Sequence, residues 1–485
     1  MTDPPSSITY SSVVSRESVR IIFMLASFLD LEILSCDIGN AYINAPCREK
    51  IWCVAGPEFG PEDEGSVLII ERALYGLKSS GAAWRAMLAQ TMRDLGYKSC
   101  LADPDVWIRP QSKPDGSEYY EYCLIYVDDI LCVSHEPGKT MSSLAKLYRL
   151  KEDPAPPQRY LGANILRHQL VDGRVVWAMS SYDYVKNAVR IVEDLLDKDG
   201  ERGLSPRGMK VPWSNDYRPE LDISRLLTGD MITRFQNLIG ILQWMVELGR
   251  VDILHEVAKL SSFNAQPREG HLEAVYKIFA YLKGHEKSRM VFDDYDIVPD
   301  ANEFQECAWT DFYPDAIEPI PDNMPQARGP NVRLSCFVDA DHAGNLLTRR
   351  SHTVFVIYMN NSSIVWYSKR QNTVESSTFG SEMNALRIAV DQIQALRYKL
   401  RMMGIRCEIP ADVYCDNQSI TKSVSQPEVT LSKKHNAICY HRIREAVAMG
   451  MIRIAWIDGK DNIADLFTKP LTVERRQHLL GNLLY

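Results

Sequence analysis

Two adjacent carboxylates, Asp128-Asp129, lie between the apolar runs Leu124-Ile125-Tyr126-Val127 and Ile130-Leu131, and no other feature constrains the fold as much. The stretch 119–134 is rich in β-branched and aromatic residues, so it is predicted to form two strands joined by a tight turn that carries both acids. An Asp pair in a turn has an ordinary explanation, because Asp favours turns for its own backbone hydrogen bonding. Two charges embedded among apolar residues are nevertheless costly unless a cation compensates them. Asp37 closes another short apolar run, 31–36. Carboxylates delivered by separate strands are what a two-cation phosphoryl-transfer centre needs, with the ions roughly 4 Å apart. Rigid strands hold such groups better than loops do.

A chain of 485 residues exceeds one ordinary domain and predicts two or three packed units. The first, 1–175, alternates helix and strand signals. Residues 17–28 place Val19, Ile22, Phe23 and Ala26 on one helical face, and Trp84, Leu88, Thr91 and Leu95 repeat at the same spacing before a stop at Gly96. The second, 176–285, is mostly helical, with its clearest helices at 232–248 and 271–282. An acidic stretch containing Pro314, Pro319, Pro321 and Pro325 follows over 286–330 and reads as a tether. The last unit, 331–485, opens with strands at 332–338, 353–359 and 364–367. It continues as a helix striped by Met383, Leu386, Val390, Ile393, Leu396 and Leu400, then alternates strand and helix, an α/β pattern.

The last unit contains a second carboxylate set. Asp339 follows its first strand, Glu382 opens the long helix, Asp416 follows the strand 412–415, and Asp465 lies in the first turn of a late helix. Singly, each suits a cap or a solvated charge, and Glu382 and Asp465 both suit a helix dipole. Together, four acids at element ends are the parts of another two-cation centre. Asp341, two residues from Asp339, competes for the same role. The 11 cysteines show no zinc spacing and read as small buried residues of a reducing compartment. The net charge of −8 weighs mildly against nucleic-acid binding, although a local basic groove can coexist with it. The longest early apolar stretch is too short to span a bilayer, so no membrane is expected.

Several motifs occur in one order: Asp37-Ile38-Gly39-Asn40-Ala41-Tyr42, Ala73-Leu74-Tyr75-Gly76-Leu77-Lys78 with Trp84, Asp103-Pro104-Asp105, Tyr126-Val127-Asp128-Asp129 and Tyr281-Leu282-Lys283-Gly284. Later come Val338-Asp339-Ala340-Asp341, Ser381-Glu382, Tyr414-Cys415-Asp416-Asn417 and Ile463-Ala464-Asp465 through Phe467-Thr468-Lys469-Pro470-Leu471. Almost end to end, the chain resembles the Pol polyproteins of copia-type LTR retrotransposons. The resemblance implies an α/β and α+β multidomain chain: a right-hand polymerase palm with partial fingers in 1–175, a helical thumb and connection in 176–285, and an RNase H-like α/β domain in 331–485. It implies RNA-directed DNA synthesis and cleavage of RNA in RNA/DNA hybrids, with two Mg²⁺ ions (or Mn²⁺) per site.

By the same resemblance, Asp37, Asp128 and Asp129 ligate metal in the first site and Asp339, Glu382, Asp416 and Asp465 in the second, and both sets are catalytic. Asn40 and Ala41 present backbone amides to an incoming dNTP, Tyr42 gates its sugar, and Ser79 stands where the family usually has Gln. Tyr160-Leu161-Gly162 grips the primer terminus, and Lys369 and Arg370 touch hybrid phosphates. Expected partners are an RNA template, a DNA primer, RNA/DNA hybrid, dNTPs and other segments of the same polyprotein. The expected location is intracellular, in cytoplasmic virus-like particles or the nucleus. The chain begins just before Ser12-Val13-Val14, where basic fingers strands would precede it. That leaves an alternative: a truncated or host-retained copy acting as RNase H only, or as a nucleic-acid-binding protein.

Overall fold

The computed structural model describes residues 11–205, 208–431, 434–481 and 483–485, and the chain divides into two compact units. The first unit comprises Met1–Pro157 with the short later segments Pro325–Gly329 and Arg401–Ile405. Its elements are α1 (Arg16–Phe28), β1 (Glu32–Asp37), α2 (Ala41–Asn44), β2 (Trp52–Val54), β3 (Val67–Ile69), α3 (Ser80–Asp94), β4 (Lys98–Ser99), β5 (Val106–Ser112), β6 (Glu118–Tyr126), β7 (Asp129–Ser134) and α4 (Pro137–Leu147).

Five of these strands form an antiparallel sheet in the order β1-β7-β6-β5-β4, while β2 and β3 pair separately. Helix α1 is buried along most of its length, as its sequence pattern implies. Its N-terminus is closed by Asp103, whose carboxylate accepts from Ser15 N (3.1 Å), Ser15 Oγ (2.8 Å) and Ser18 Oγ (2.6 Å). An anion is favourable there because the first helical N–H groups lack intrahelical partners. Trp84, Leu88 and Met92 of α3 and Met141 and Leu144 of α4 pack on Cys36, Cys123, Ile125, Ile130 and Cys132, one face of the sheet. This core fixes the strand ends that carry the first carboxylates.

The second unit comprises Gln158–Met324, Pro330–Leu400 and Arg406–Tyr485. It runs β8 (Arg159–Tyr160), β9 (Ala163–Gln169), β10 (Val175–Ser180), α5 (Tyr182–Lys198), α6 (Asp230–Glu247), α7 (Leu254–Ser261), α8 (Glu269–Gly284), β11 (Arg289–Val291), β12 (Leu334–Asp341), β13 (His352–Met359), β14 (Ser362–Arg370), α9 (Thr378–Met402), β15 (Ala411–Cys415), α10 (Gln418–Ser425), α11 (Ala437–Ala448), β16 (Ile452–Trp456), α12 (Asp465–Thr468) and α13 (Val473–Leu480). One sheet has the order β11-β10-β9-β8; the other has the order β14-β13-β12-β15-β16. In the latter, β12, β13 and β14 are antiparallel, whereas β15 runs parallel to both β12 and β16.

The boundary between units falls at Pro157, not near residue 175, because β8, β9 and β10 pair with one another and with β11. The acidic stretch 286–330 contributes β11 and a 3-10 turn at Ala301–Glu303, and its part before Pro325 is pinned along the second unit. Arg174 pairs with Asp293 (2.9 Å), Arg333 with Asp296 (2.8 Å) and Arg397 with Glu318 (2.8 Å). Its prolines prevent regular pairing, while its acids find basic partners, so a polar stretch that reads as a free tether is laid down on the fold.

Candidate active sites

In the first unit, strand register brings the acids together. Asp37 and Asp129 are direct cross-strand partners at the ends of β1 and β7. Tyr126 pairs with Asp129, leaving Val127-Asp128 as the two-residue turn of the β6–β7 hairpin. Val127 has a φ of +60°, a left-handed conformation that a β-branched residue rarely adopts. The turn is held from two sides: Trp84 Nε1 donates to Val127 O (2.7 Å), and Ile38 N donates to Asp128 O (3.0 Å).

Lys151 reaches this cluster from far along the chain. Its Nζ lies 2.6 Å from Asp37 Oδ2 and 3.4 Å from Asp128 Oδ2. Its own N–H donates to Asp37 O (2.9 Å). Burial, then the negative charges of Asp37 and Asp128, push the Asp129 carboxyl up to about 6, against the opposing effect of Lys151. Asp37 Oδ1 is buried without a hydrogen-bond partner.

Around this cluster, Asn40 takes a left-handed conformation (φ +53°) that turns the chain into α2, and Ala41 is fully buried. Tyr42 is half-buried, its ring 4.5 Å from that of Tyr75, and Asp128 helps to raise its hydroxyl pKa after burial. Ser79 is only 3% exposed at the start of α3, so its hydroxyl is not displayed to solvent. Tyr160-Leu161-Gly162 lies in the second unit as the β8–β9 hairpin, with Leu161 and Gly162 both at positive φ (+48° and +89°) in its two-residue turn. Tyr160 is buried.

The second set also follows from register. Val338 of β12 pairs with Cys415 of β15 in parallel, so Asp339, still paired with Val354 of β13, and Asp416, just past the end of β15, lie side by side. Asp465, the first residue of α12, joins them: carboxylate oxygens of Asp339, Asp416 and Asp465 all lie within 4.8 Å of one another. Glu382, in the first turns of α9, forms a similar group with Asp416 and the Cys415 thiol. Burial and then Asp416 push the Glu382 carboxyl up to about 8. Asp416 and Asp465 are raised as well, by burial first and Asp339 second. Glu382 Oε2 is buried with no hydrogen-bond partner.

Here too a lysine sits at the rim. Lys469 Nζ lies 2.6 Å from Asp465 Oδ1 and 3.8 Å from Asp339 Oδ2, and Arg475 pairs with Asp465 Oδ2. Thr468 Oγ1 donates to Asp339 Oδ2 (2.8 Å). Asp341 belongs elsewhere: Lys259 Nζ is 2.9 Å from its Oδ2, and its other oxygen accepts from His352 N. Lys369 and Arg370, at the end of β14, line a cavity of about 210 Å³ with Asn372, Thr373 and Arg387. His435 is largely exposed, 3.9 Å from Glu375.

Sequence reasoning missed Lys151, whose acidic partners are remote, and Arg475. It named Trp84, Thr468 and Lys469 only as companions within motifs. Lys469 had a usable signal, standing four residues after Asp465 at the spacing that brings opposite charges together on a helix. Both clusters offer carboxylate oxygens, donors that suit Mg²⁺ or Mn²⁺ better than soft ions. The unpartnered oxygens of Asp37 and Glu382, and the burial and mutual repulsion that raise the neighbouring carboxyls, fit a site built to receive such cations.

Residues 6–198 match the family model described as reverse transcriptase (RNA-dependent DNA polymerase). The chain is 26% identical over 468 residues to the Retrovirus-related Pol polyprotein from transposon RE1 of Arabidopsis thaliana, covering 96% of this chain and 28% of that protein. It is 28% identical over 467 residues to the corresponding polyprotein from transposon TNT 1-94 of Nicotiana tabacum, covering 95% and 31%. Against the Transposon Ty1-DR1 Gag-Pol polyprotein of Saccharomyces cerevisiae it is 22% identical over 479 residues, covering 96% and 25%. The chain thus spans less than a third of the length of these relatives, which align along nearly all of it. By that match and those relatives, residues 6–198 are similar to reverse transcriptases, and the chain is similar along nearly all of its length to the Pol polyproteins of transposons.

Proposed function

We propose that the chain carries two separate phosphoryl-transfer centres: templated DNA synthesis at Asp37, Asp128 and Asp129, and cleavage of the RNA strand of RNA/DNA hybrids at Asp339, Glu382, Asp416 and Asp465. The observation that carries this reading is the convergence of Asp339, Asp416 and Asp465 from three elements to within 4.8 Å in a second unit, apart from the acids that register aligns in the first. Three antiparallel strands followed by two parallel ones, with acids at the ends of the central pair, support an RNase H-like reading of that unit.

Each carboxylate set would hold two Mg²⁺ or Mn²⁺ ions, which when bound supply charge neutralisation and a polarised oxygen nucleophile. The chain's own residues do the rest. In the first unit, Trp84 and Ile38 fix the hairpin turn so that Asp128 and Asp129 are presented rigidly. Tyr42, tilted against Tyr75 and close enough to feel Asp128, would crowd a ribose 2′-hydroxyl. Asn40 and Ala41 would meet the triphosphate. In the second unit, Thr468 and Asn462 hold the Asp339 strand end, the latter through Val338 O (3.1 Å). Lys369 and Arg370 would contact hybrid phosphates through a screened, salt-dependent attraction.

A nuclease-dominant reading is favoured by the burial of Ser79, which stands where the family usually has a longer amide. Purified chain with Mg²⁺ should cleave a labelled RNA/DNA hybrid and extend a primer more weakly. Absence of hybrid cleavage with Mg²⁺ or Mn²⁺ would overturn the reading of the second site.

A further inference from the structure

One eight-residue helix, α7, touches β12 and α12, which bear Asp339 and Asp465 of the second carboxylate set, and the neighbouring β13 and α13. Its Lys259 Nζ lies 2.9 Å from Asp341 Oδ2 and 3.1 Å from His352 Nδ1, so it ties the end of β12 to the start of β13. Asp339 is two residues back along β12. From the same helix, His255 Nδ1 lies 3.2 Å from Phe467 O, which also accepts from Ser368 Oγ (3.1 Å). Burial keeps the His255 imidazole neutral, so the proton it shares with that carbonyl sits on Nδ1. Phe467 lies in α12, between Asp465 and Thr468, the residue that donates to Asp339. Glu256 pairs with Arg476 of α13 (3.2 Å), and Arg476 also donates to Asp252 O; the adjacent Arg475 pairs with Asp465.

These groups are deeply buried: His255, Glu256 and Arg476 are each 1–3% exposed. Buried polar and charged groups are expensive unless fully partnered, so each contact tolerates little displacement. A packing helix needs none of them, because apolar side chains cover a core surface at lower cost. Here three polar anchors within five residues, Lys259, His255 and Glu256, fall on the strand end bearing Asp339, the short helix bearing Asp465, and the helix whose arginine clamps Asp465.

We propose that α7 is a positioning element of the second site, and that His255, Glu256 and Lys259 set the relative places of Asp339 and Asp465. The nuclease then needs the turn of α7, far upstream of β12, as well as the segment 331–485. This rests on the hydrolytic reading of that site. None of the three residues is catalytic; each acts through Asp341, Phe467 or Arg476.

The test uses the full chain and three readouts: kcat and KM for hybrid cleavage, Mn²⁺ affinity by calorimetry, and thermal melting. Lys259→Met should lower kcat and Mn²⁺ affinity about tenfold or more, with KM for hybrid little changed, as expected when a group that orients metal ligands is lost. Lys259→Arg should recover most of both. His255→Leu should lose, and His255→Asn, which keeps a donor near Nδ1, should retain. Because Lys259→Met strands a buried Asp341, the paired Lys259→Met/Asp341→Leu change removes the lone charge and should restore melting while leaving kcat and Mn²⁺ affinity low. Full kcat and Mn²⁺ affinity in Lys259→Met, or their return in the paired variant, would overturn the proposal. If the unmodified chain cleaves no hybrid, the hydrolytic reading fails, and the Mn²⁺ affinities alone still decide whether α7 positions the carboxylates.

Discussion

Glu382 has its carboxyl pushed up from 4.5 to about 8 by burial and by Asp416. A raised carboxyl binds its proton more tightly in the folded chain than in the unfolded one. Its stabilising contribution is therefore complete below about pH 4.5 and is lost as pH rises toward 8. In chelator, the melting temperature of the second unit should fall across that window, and Mg²⁺ should restore it at pH 8 but scarcely at pH 5. Glu382→Gln should flatten the fall, and an equally steep fall in that variant would place the titration elsewhere. At the other site, Tyr42→Val should raise ribonucleotide incorporation relative to deoxyribonucleotide about tenfold, a steric effect of roughly 1.4 kcal/mol. An unchanged sugar preference in a variant that still extends primers would return Tyr42 to core packing. The acids themselves were legible in the sequence because a carboxylate at the end of an apolar run is costly and therefore conspicuous. Their counterions were not. Lys151 meets Asp37 only through the fold, and lysines at a surface are too common to single one out.

The β6–β7 hairpin shows how an element can be legible in kind and illegible in its support. Apolar runs on both sides of Asp128-Asp129 specify two strands and a tight turn, and that is what forms. Nothing local predicts that Val127 takes a φ of +60°, or that an indole 43 residues away satisfies its carbonyl. Trp84→Phe leaves that carbonyl unpaired in a partly buried setting and should cost about 1–3 kcal/mol, read by chemical denaturation. Primer extension should fall with it while hybrid cleavage holds; a loss below about 0.5 kcal/mol would mean that water replaces the indole. Val127→Asn relieves the left-handed strain and should stabilise the first unit by about 1 kcal/mol. Asp103-Pro104-Asp105 teaches the same lesson in reverse. Read only as a family signature, it is structural: Asp103 closes the N-terminus of α1, and Asp105 pairs with Arg85 (2.9 Å).

At the scale of the whole chain, the two proposed centres lie in two units, and the division is less tidy than the sequence suggests. Composition separates a β-rich start, a helical middle and an α/β end, but it cannot show that β8–β10 pair with β11, or that α7 anchors the strand end beside Asp339. Those links join residues some 80 to 120 positions apart, through backbone pairing and buried charge that local patterns do not encode. The claim of two independent centres is tested most directly by assaying primer extension and hybrid cleavage on single preparations of the chain, of Asp128→Asn and of Asp416→Asn, with Mg²⁺. Asp128→Asn should lose extension by at least about a thousandfold and keep cleavage, and Asp416→Asn should do the reverse, since removing one carboxylate spoils only its own cation geometry. Loss of both activities from either folded variant would contradict the account.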